Sequence, residues 1–518
     1  MSKTDETTQP DRPPRSKRIG PLMNRRQFAA LASGLAAWGL LPRSLEAALP
    51  VPSSTLRLSR RARQVAGRQG KWQPTHVEGA IPRDLNGTFY RVAPGQDEKF
   101  GVTLKHRFDG DPFFSAFRFE GGRLQVTARY LATPEYLAEQ QAGRMLFHEF
   151  GTLAPASADP DDEPPRFKNS PSVNVIRYDG RLLGLSEGGP PTALDPVTLE
   201  YQGFWHFHGT LPSHTSFTAH PKFDLGTGEG FAWGVHQGDP MELRVFRMKG
   251  DGRLETLHRV PLSRYAMIHD MAFTRHYLVF AVPPVYFDFS RLFMGEASLA
   301  DALRFAEREP LRYLILRRDG TGDPVWIEAP TAVVFHNGNA YEDGGHIVLD
   351  SVLSPDDSVL RLLYAASKER LPEVTSTRLA RVRLDPRAGR LVRRDRLDEW
   401  LEFPRFDERR ASEDVRFLYS AGEHRQDPLG HDRLNAFDLH RGKKRVVTFE
   451  AHQTIEESVH VPKAGGAKSE AGWLLTQGYD GRKNENFLDV RDAPSLERVA
   501  RIWLGTHLPL GFHGNFVG

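Results

Sequence analysis

The chain has 518 residues, of which 39% are hydrophobic and 10% aromatic, a composition typical of a globular protein with a sizeable core. It contains no cysteine, which excludes disulfides, thiolate metal sites and a cysteine nucleophile. Residues 1–47 hold eight Lys/Arg against four Asp/Glu, so this segment carries +4 and the rest of a chain of net charge +3 is left at about −1. We therefore expect no nucleic-acid partner.

Residues 1–47 are predicted to be a signal peptide of the twin-arginine type. Arg25 and Arg26 precede an apolar run, residues 29–41, which is too short to cross a membrane and is followed by small residues. This order predicts export of an already folded protein to the periplasm. The alternative interpretation is a cytoplasmic protein with a basic tail.

The chain after residue 47 is predicted to be β-structure nearly throughout. Strand-like runs recur with turn residues between them, and no helical pattern separates one run from the next. Examples are Glu242–Met248, Tyr313–Arg318, Ala380–Asp385, Leu434–Leu439 and Phe487–Asp492. Recurring antiparallel hairpins without βαβ alternation predict an all-β propeller or sandwich array.

One segment, Ser298–Glu307, has the spacing of a short helix. It follows an apolar cluster that begins at Phe287 and lies outside the strand pattern. We expect these residues to cap one face of the fold. The same residues could instead form a mouth for an apolar substrate or a patch that touches a membrane.

Four of the twenty histidines stand out because each lies in a distinctive phrase. The phrases are Phe-Thr-Ala-His220-Pro, Met-Ile-His269-Asp, Val-Phe-His336-Asn-Gly and Gly-Phe-His513-Gly. Small and glycine-rich neighbours allow backbones to approach a crowded axis. Four neutral imidazoles without a thiolate would suit a borderline metal such as iron. Because the spacings are 49, 67 and 177 residues, only a closed fold can bring the four rings together.

These phrases resemble those of the carotenoid cleavage oxygenase family, which includes apocarotenoid and lignostilbene dioxygenases and the retinal pigment epithelium isomerase. Further matches are Gly87-Thr-Phe-Tyr-Arg, His106-Arg-Phe-Asp-Gly-Asp, Leu185-Ser-Glu-Gly-Gly-Pro-Pro and Leu401-Glu-Phe-Pro. The resemblance runs from about Pro74 to Gly518. It implies that residues 48–518 form a single seven-bladed β-propeller with an apolar dome of loops and helix over one face.

The resemblance also implies the chemistry of the site. Fe2+ would lie on the axis, held by His220, His269, His336 and His513, and O2 would cleave a conjugated alkene. Three glutamates would accept hydrogen bonds from the ligand imidazoles. Glu187 and Glu402 match the first two, and Glu457 is predicted as the third, with the adjacent Glu456 as the alternative.

Two positions depart from the family pattern. Pro112 and Phe113 follow Asp111 where the family usually continues with Gly-Met or similar. Because proline fixes the backbone and phenylalanine adds bulk, we expect them to narrow or redirect the cavity for substrate and O2. Val173 stands where many family dioxygenases have a threonine beside the iron, as it does in the isomerase branch. Phe113 and Val173 are predicted to touch the substrate or O2 cavity.

The predicted function is cleavage of a carotenoid or apocarotenoid double bond with O2, giving two carbonyl products from a small apolar conjugated substrate. A stilbene or phenylpropanoid substrate is an alternative. Stilbene-cleaving members of the family typically use a phenol-activating Tyr–Lys pair. No such pair is evident near His106–Asp111, which favours a polyene, although Tyr136 and Lys168 are available elsewhere in the chain. Val173 also leaves open a non-oxidative isomerase, and an exported propeller that binds ligands without catalysis is a third possibility. The apolar dome predicts peripheral membrane contact, and the sequence leaves the oligomeric state open.

Overall fold

The computed structural model describes residues 58, 61–74, 76–156, 165–294, 297–364, 374–423, 430–463 and 470–518. The predicted signal peptide, residues 1–47, lies outside the described residues.

The described residues form 36 strands, most of them in antiparallel sheets. Numbered in chain order, the first eighteen are β1 Gly70–Trp72, β2 His76–Gly79, β3 Gly87–Pro94, β4 Glu98–Lys99, β5 Val102–Thr103, β6 Pro112–Glu120, β7 Arg123–Tyr130, β8 Phe147–His148, β9 Arg166–Phe167, β10 Asn174–Tyr178, β11 Arg181–Leu185, β12 Thr192–Leu194, β13 Tyr201–Phe204, β14 Lys222–Asp224, β15 Glu229–His236, β16 Glu242–Met248, β17 Leu254–Pro261 and β18 Met271–Phe273.

The remaining strands are β19 Tyr277–Val282, β20 Val285–Phe287, β21 Leu303–Phe305, β22 Leu311–Arg317, β23 Val325–Ala329, β24 Val333–Asp343, β25 His346–Ser354, β26 Arg378–Asp385, β27 Arg390–Glu399, β28 Leu401–Arg405, β29 Phe417–Glu423, β30 His431–Asp438, β31 Lys443–Thr448, β32 Gln453–Pro462, β33 Gly472–Asp480, β34 Glu485–Asp492, β35 Arg498–Trp503 and β36 Gly514–Val517. The α-helices of the described residues are α1 Pro134–Ala142, α2 Leu299–Ala302 and α3 Ser358–Tyr364, and 3-10 turns lie at Phe207–Gly209, Phe289–Met294 and Glu408–Arg410.

The large sheets divide into seven blades. The first blade has the strand order β36-β3-β6-β7-β1. The second to fifth are consecutive four-stranded meanders, namely β10–β13, β14–β17, β18-β19-β22-β23 and β24–β27. The nine-stranded sheet contains the sixth, β28–β31, and the seventh, β32–β35 with β2, joined by the single pair of His431 with Ile455. The predicted seven-bladed β-propeller is confirmed.

The core lies between the blades rather than in one central mass. Seven clusters of buried apolar side chains each join one blade to the next. Tyr313 and Ile347, for example, share the cluster between the fourth and fifth blades, and both are fully buried. Strand alternation gives each sheet two apolar faces, so every blade is stabilised from both sides.

Two strand pairings close the ring. β36 pairs with β3, where Tyr90 lies opposite Asn515, and β2 pairs with β35, where Val77 lies opposite Ile502. Strands from opposite ends of the described chain therefore complete the same two blades. Closure of a propeller leaves the first strand of each blade nearest to the axis, and successive first strands contact one another, as β18, β24, β28, β32 and β36 do.

The segment Ser298–Glu307 is helical over only half of its predicted length. Ser298 caps α2 through a capping box with Asp301, but the chain becomes extended at Leu303. β21 then pairs with β20, so sheet pairing overrides the helical spacing there. The predicted apolar cap is present, because Phe335 and neighbours from β20, β21 and α3 form one apolar cluster. None of the helices described is long and apolar enough to span a membrane.

Candidate metal centre

Four histidines that are far apart in sequence meet on the propeller axis. His220 and His269 each lie two residues before the first strand of their blade, β14 and β18. His336 lies within β24, and His513 directly precedes β36. All four are buried, and their Nε2 atoms lie within 4.8 Å of one another. The structure therefore brings together the four predicted ligands.

A glycine lets the last of these residues approach the axis. Gly514, directly after His513, packs so tightly against β3 that a Cβ atom would lie 2.4 Å from the Tyr90 carbonyl oxygen. Its amide also donates a hydrogen bond to Glu457 Oε2 at 3.1 Å. A larger residue would push this segment away from the axis, so the Gly in the phrase is required by packing.

The Nδ1 atoms of three of the four rings face glutamates. Glu402 Oε2 lies 2.6 Å from His336 Nδ1, and Glu457 Oε1 lies 3.0 Å from His513 Nδ1. Glu187 Oε1 is 2.6 Å from His269 Nδ1, but the two groups are not aligned for a hydrogen bond. An imidazole that donates from Nδ1 keeps its Nε2 lone pair free, and these lone pairs face the common centre.

Electrostatics at the centre disfavour protons on two of the rings. Burial, together with the other three imidazoles, holds the pKa of His220 well below its ordinary value. Burial also lowers the pKa of His513 to about 3, despite the opposing effect of Glu457. At His336 the effect of burial is outweighed by Glu402, which raises the pKa. The Glu402 carboxylate therefore stabilises positive charge on the His336 ring, whether a proton or a bound metal supplies that charge.

The donor set fits a metal ion. Neighbouring Nε2 atoms lie 3.0 Å apart for His220 and His269, 3.3 Å for His269 and His336, and 3.1 Å for His336 and His513. Nitrogens that bind one metal at about 2.1 Å and near right angles lie about 3 Å apart. Imidazole-only sets suit iron and its neighbours in the transition series, and the four-histidine group is consistent with Fe2+.

The structure distinguishes the two adjacent glutamates between which the sequence does not decide. Glu457 contacts His513, while Glu456 pairs with Arg91 at 2.7 Å and accepts a hydrogen bond from the Gly511 amide. The Glu457 carboxylate is itself held by Arg405, and Arg405 and His513 outweigh burial to give it a pKa of about 2. Glu457 therefore stays ionised and remains an acceptor.

One cavity opens from the centre. Its volume is about 70 Å3, and its wall is mostly apolar. It is lined by Arg107, Phe108, Val173, His269, Phe335, His336, Val359, Leu362, Leu363, Glu402, Phe403, His431, Phe512 and His513. Val173 thus lies in the wall beside three of the four histidines, as predicted from its departure from the family pattern.

Phe113 lies elsewhere, and its predicted contact with the cavity is corrected by the structure. Its side chain is 1% exposed and packs edge-on against Tyr130, with ring centroids 5.0 Å apart. It belongs to the apolar cluster between the seventh and first blades. Alternation along β6 directs Phe113 into that cluster, while Phe114 faces the cluster on the opposite side of the sheet.

Tyr136 and Lys168 are also absent from the residues that line the cavity. Lys168 is buried and pairs with Asp111 at 2.6 Å and Glu149 at 2.5 Å. Tyr136 stacks on Tyr130, 5.9 Å away. The two residues therefore do not supply a phenol-activating pair at the centre.

Sequence reasoning missed three residues that support the centre. Arg91 and Arg405 hold the two buried glutamates, and Phe403 packs against both His336 and His513 at 5.2 Å. Arg91 ends the phrase Gly-Thr-Phe-Tyr-Arg, and Phe403 follows Glu402 in Leu-Glu-Phe-Pro. Arg91 and Phe403 therefore lie in phrases that match the family, and this match is the sequence signal that could have identified them.

Comparison with known proteins agrees with this geometry. Apocarotenoid-15,15'-oxygenase from Synechocystis is 29% identical over 453 residues, covering 85% of this chain and 92% of that protein. Resveratrol cleavage oxygenase 1 from Aspergillus fumigatus is 30% identical over 480 residues, covering 87% and 93%. The crystal structure of cobalt-substituted Synechocystis apocarotenoid oxygenase superposes with a TM-score of 0.81 at 27% identity, covering 89% of this chain and 98% of that one.

The sequence model of one family, described as retinal pigment epithelial membrane protein, matches residues 66–518. This range contains every blade and all four histidines of the centre. The chain therefore belongs to the retinal pigment epithelial membrane protein family of carotenoid cleavage oxygenases.

Proposed function

We propose that this protein is a non-haem iron(II) dioxygenase that cleaves a conjugated C=C bond of a carotenoid or apocarotenoid. The observation that carries the proposal is the set of four Nε2 atoms that face one point at the wall of an apolar cavity. The reaction consumes one O2, breaks the C=C bond and places one oxygen atom on each carbon, so two carbonyl products form.

His220, His269, His336 and His513 would hold the metal through Nε2. Fe2+ bound there supplies the redox chemistry that allows O2 to react with an alkene. Glu187, Glu402 and Glu457 orient three of the rings and offset the charge of the divalent cation, because the four ligands are neutral. No other side chain is required as a nucleophile or a general base.

The cavity wall positions the substrate. Phe335, Phe403 and Phe512 present aromatic surface, and Val359 and Leu363 present aliphatic surface. Such a wall binds a conjugated chain by burial rather than by charge and keeps water away from the reacting bond. Orientation of the alkene beside the centre is then the main contribution of the protein to the rate.

A hydroxylated stilbene is the second candidate substrate. The relative from Aspergillus fumigatus is named for resveratrol cleavage, and it matches this chain over nearly its whole length. Because Tyr136 and Lys168 do not line the cavity, a substrate of this class requires a different polar contact.

The chemistry is tested by anaerobic loading of the protein with Fe2+, followed by exposure to air with a panel of polyenes and stilbenes. We expect stoichiometric iron and two carbonyl products whose masses add up to substrate plus O2. Iron without cleavage of any alkene would favour an isomerase. A protein that folds but retains no iron would favour a binding module.

We further propose that the protein is exported by the twin-arginine route and acts in the periplasm. The support is the Arg25-Arg26 pair before a short apolar run. Replacing both arginines with lysine should retain the protein in the cytoplasm, as measured by cell fractionation. Periplasmic protein at the wild-type level would contradict the proposal.

Peripheral membrane contact through the apolar dome is proposed as well. Phe287 and Phe289 stack on each other with centroids 5.7 Å apart, and both are only partly buried. Partly exposed aromatic pairs of this kind suit the interface of a bilayer. Replacing Phe289 with Ser should reduce co-sedimentation with lipid vesicles, and unchanged co-sedimentation would exclude the contact.

A further inference from the structure

The cavity contains a polar side chain that the proposed function does not use. His431 lines its wall together with the metal-centre histidines. It begins β30 and joins two blades by pairing with Ile455, and its carbonyl accepts a hydrogen bond from Thr454 Oγ1 at 3.2 Å. The backbone of His431 is therefore fixed at the junction of the sixth and seventh blades.

The His431 imidazole lacks the hydrogen bonding that a buried ring normally has. Its side chain belongs to a residue only 5% exposed, and Nδ1 has no hydrogen-bond partner within the described part of the chain. Buried polar atoms are nearly always paired, so an imidazole of the cavity wall with an unpaired nitrogen points to a ligand. Nδ1 itself is closed off, and Nε2, which has no hydrogen bond to the described residues either, is the ring nitrogen left for a group in the cavity. With Nδ1 unpartnered, no protein contact fixes which ring nitrogen carries the proton. The neutral ring is then able to donate to a carbonyl or to accept from a hydroxyl.

The position of His431 relative to the metal centre is set by Phe403. The His431 ring packs edge-on against Phe403 with centroids 5.3 Å apart, and Phe403 lies 5.2 Å from both His336 and His513. His431 is thus separated from the centre by the width of one aromatic ring. A substrate whose double bond lies at the centre would place a ring-sized group beside Phe403 and a ring substituent beside His431.

The surroundings keep this imidazole uncharged. Burial lowers the pKa of His431 to about 3, and the positive charge of Arg107 acts in the same direction. The neutral ring suits a hydroxyl or carbonyl group better than a carboxylate, which would be bound through a cationic donor.

We propose that His431 hydrogen-bonds an oxygen substituent on a ring of the substrate, so that the preferred alkene carries a hydroxyl or carbonyl group on a ring next to the conjugated chain. This inference rests on the proposed function, because it places the substrate in the same cavity. The ring is either a phenol or the end ring of an oxygenated carotenoid. Their shared chemistry is an oxygen on the far side of a ring that adjoins the reacting double bond, which in a carotenoid is the double bond next to the end ring.

The test uses ligand pairs that differ by one hydroxyl group. One pair is para-hydroxystilbene and stilbene, and the other is an apocarotenal with and without a hydroxyl on its ring. Dissociation constants are measured on the iron-loaded protein under argon by quenching of tryptophan fluorescence, so no turnover is needed. Loss of a hydrogen bond to a buried polar group changes affinity by about ten-fold or more, and we expect this preference for the hydroxylated member.

Two variants test whether His431 causes the preference for the hydroxylated ligand. His431→Phe keeps a ring of similar shape but removes both nitrogens, and it should bind the two members of a pair with affinities within about two-fold of each other. His431→Gln keeps a donor and an acceptor and should retain part of the preference. Iron content of each variant, measured by metal analysis, is expected to equal that of the wild type. If His431→Phe does not fold, His431→Leu, which also lacks both ring nitrogens, is compared with the wild type instead.

The outcomes separate this inference from the proposed function. A preference in the stilbene pair alone identifies a phenol, and one in the apocarotenal pair alone identifies a hydroxylated carotenoid ring. The inference is overturned if the wild type prefers neither hydroxylated ligand, or if His431→Phe keeps the full preference. Binding with the preference but no cleavage in air would leave His431 as the anchor and refute the oxygenase, whereas cleavage without the preference would do the opposite.

Discussion

Two buried polar clusters of this protein differ in how they are completed. In the first blade and its loops, Lys99 and Lys168 lie among Asp111, Glu139 and Glu149, and each lysine contacts all three carboxylates. Three carboxylates and two ammonium groups contact one another directly there. At the axis, four imidazole nitrogens converge on one point, where they would hold a metal ion. A buried polar cluster therefore indicates a metal site when its lone pairs face one another and no N–H or O–H group lies between them to form hydrogen bonds.

The largest expected effect is the loss of iron when one imidazole is removed. Replacing His513 or His220 with Ala should each abolish stoichiometric iron after anaerobic loading, because three donors at an incomplete centre retain the ion poorly. Metal analysis together with thermal unfolding measures both binding and fold. His440→Ala, an exposed histidine outside the centre, is the matched control and should keep its iron. An active, iron-replete His220→Ala protein would refute the ligand assignment.

Loss of a lysine from the cluster of lysines and carboxylates should lower the stability of the fold without changing its iron content. Lys168→Met leaves buried carboxylates short of one partner, which costs about 3–5 kcal/mol of unfolding free energy. Urea unfolding measures the loss, while iron per folded protein should be unchanged. Arg118→Met, which breaks an exposed pair with Glu120, should cost only about 0–1 kcal/mol. Loss of iron in folded Lys168→Met would show that the two clusters are coupled.

Adjacent glutamates allow a finer test at the centre. Glu457→Gln should weaken iron affinity about 10–100-fold, because the acceptor for His513 Nδ1 is altered. Glu456→Gln removes a charge from a neighbouring buried pair with Arg91 and should change stability without this loss of affinity. Competition with a chelator gives both affinities, and equal affinities in the two variants would show that the contact to His513 is not needed.

The smallest effect is expected in the cavity wall. Val173→Thr adds a hydroxyl beside the histidines while nearly keeping the side-chain volume. We expect unchanged iron content and a change in turnover of less than about ten-fold, which corresponds to about 1.4 kcal/mol in the barrier. Steady-state kinetics on the best substrate measures it. A complete loss of turnover would mean that this wall position controls the reaction as strongly as the ligands do.

Much of the centre could be predicted from the sequence because its residues lie in short phrases with strong local requirements. The four histidines, Glu187 and Glu402 are of this kind. The preference for Glu457 over Glu456 came from the family phrase and not from local sequence, because neighbours on a strand point to opposite faces and β32 has an irregular register between Ile455 and Ser458. Which face meets the axis is decided by the partner strands.

The errors have a common physical cause. The second half of the predicted helix at Ser298–Glu307 is a strand because Val285–Phe287 is available as a partner. Phe113 was expected in the cavity because of its neighbours in sequence, but the side of β6 on which it lies decides its surroundings. In both cases tertiary pairing determines the outcome, and local sequence does not report it.

The closure of the ring by β36 has a consequence for biosynthesis. During translation His220, His269 and His336 emerge well before His513 and the strand that pairs with β3. The fourth ligand and the pairing that closes the propeller arrive together, so a nascent chain cannot assemble the site before the ring can close. A product that terminates before His513 would lack a ligand and would also leave the β3 edge unpaired, a surface prone to pairing with other chains. Retention of iron would thus report that synthesis of the ring had been completed.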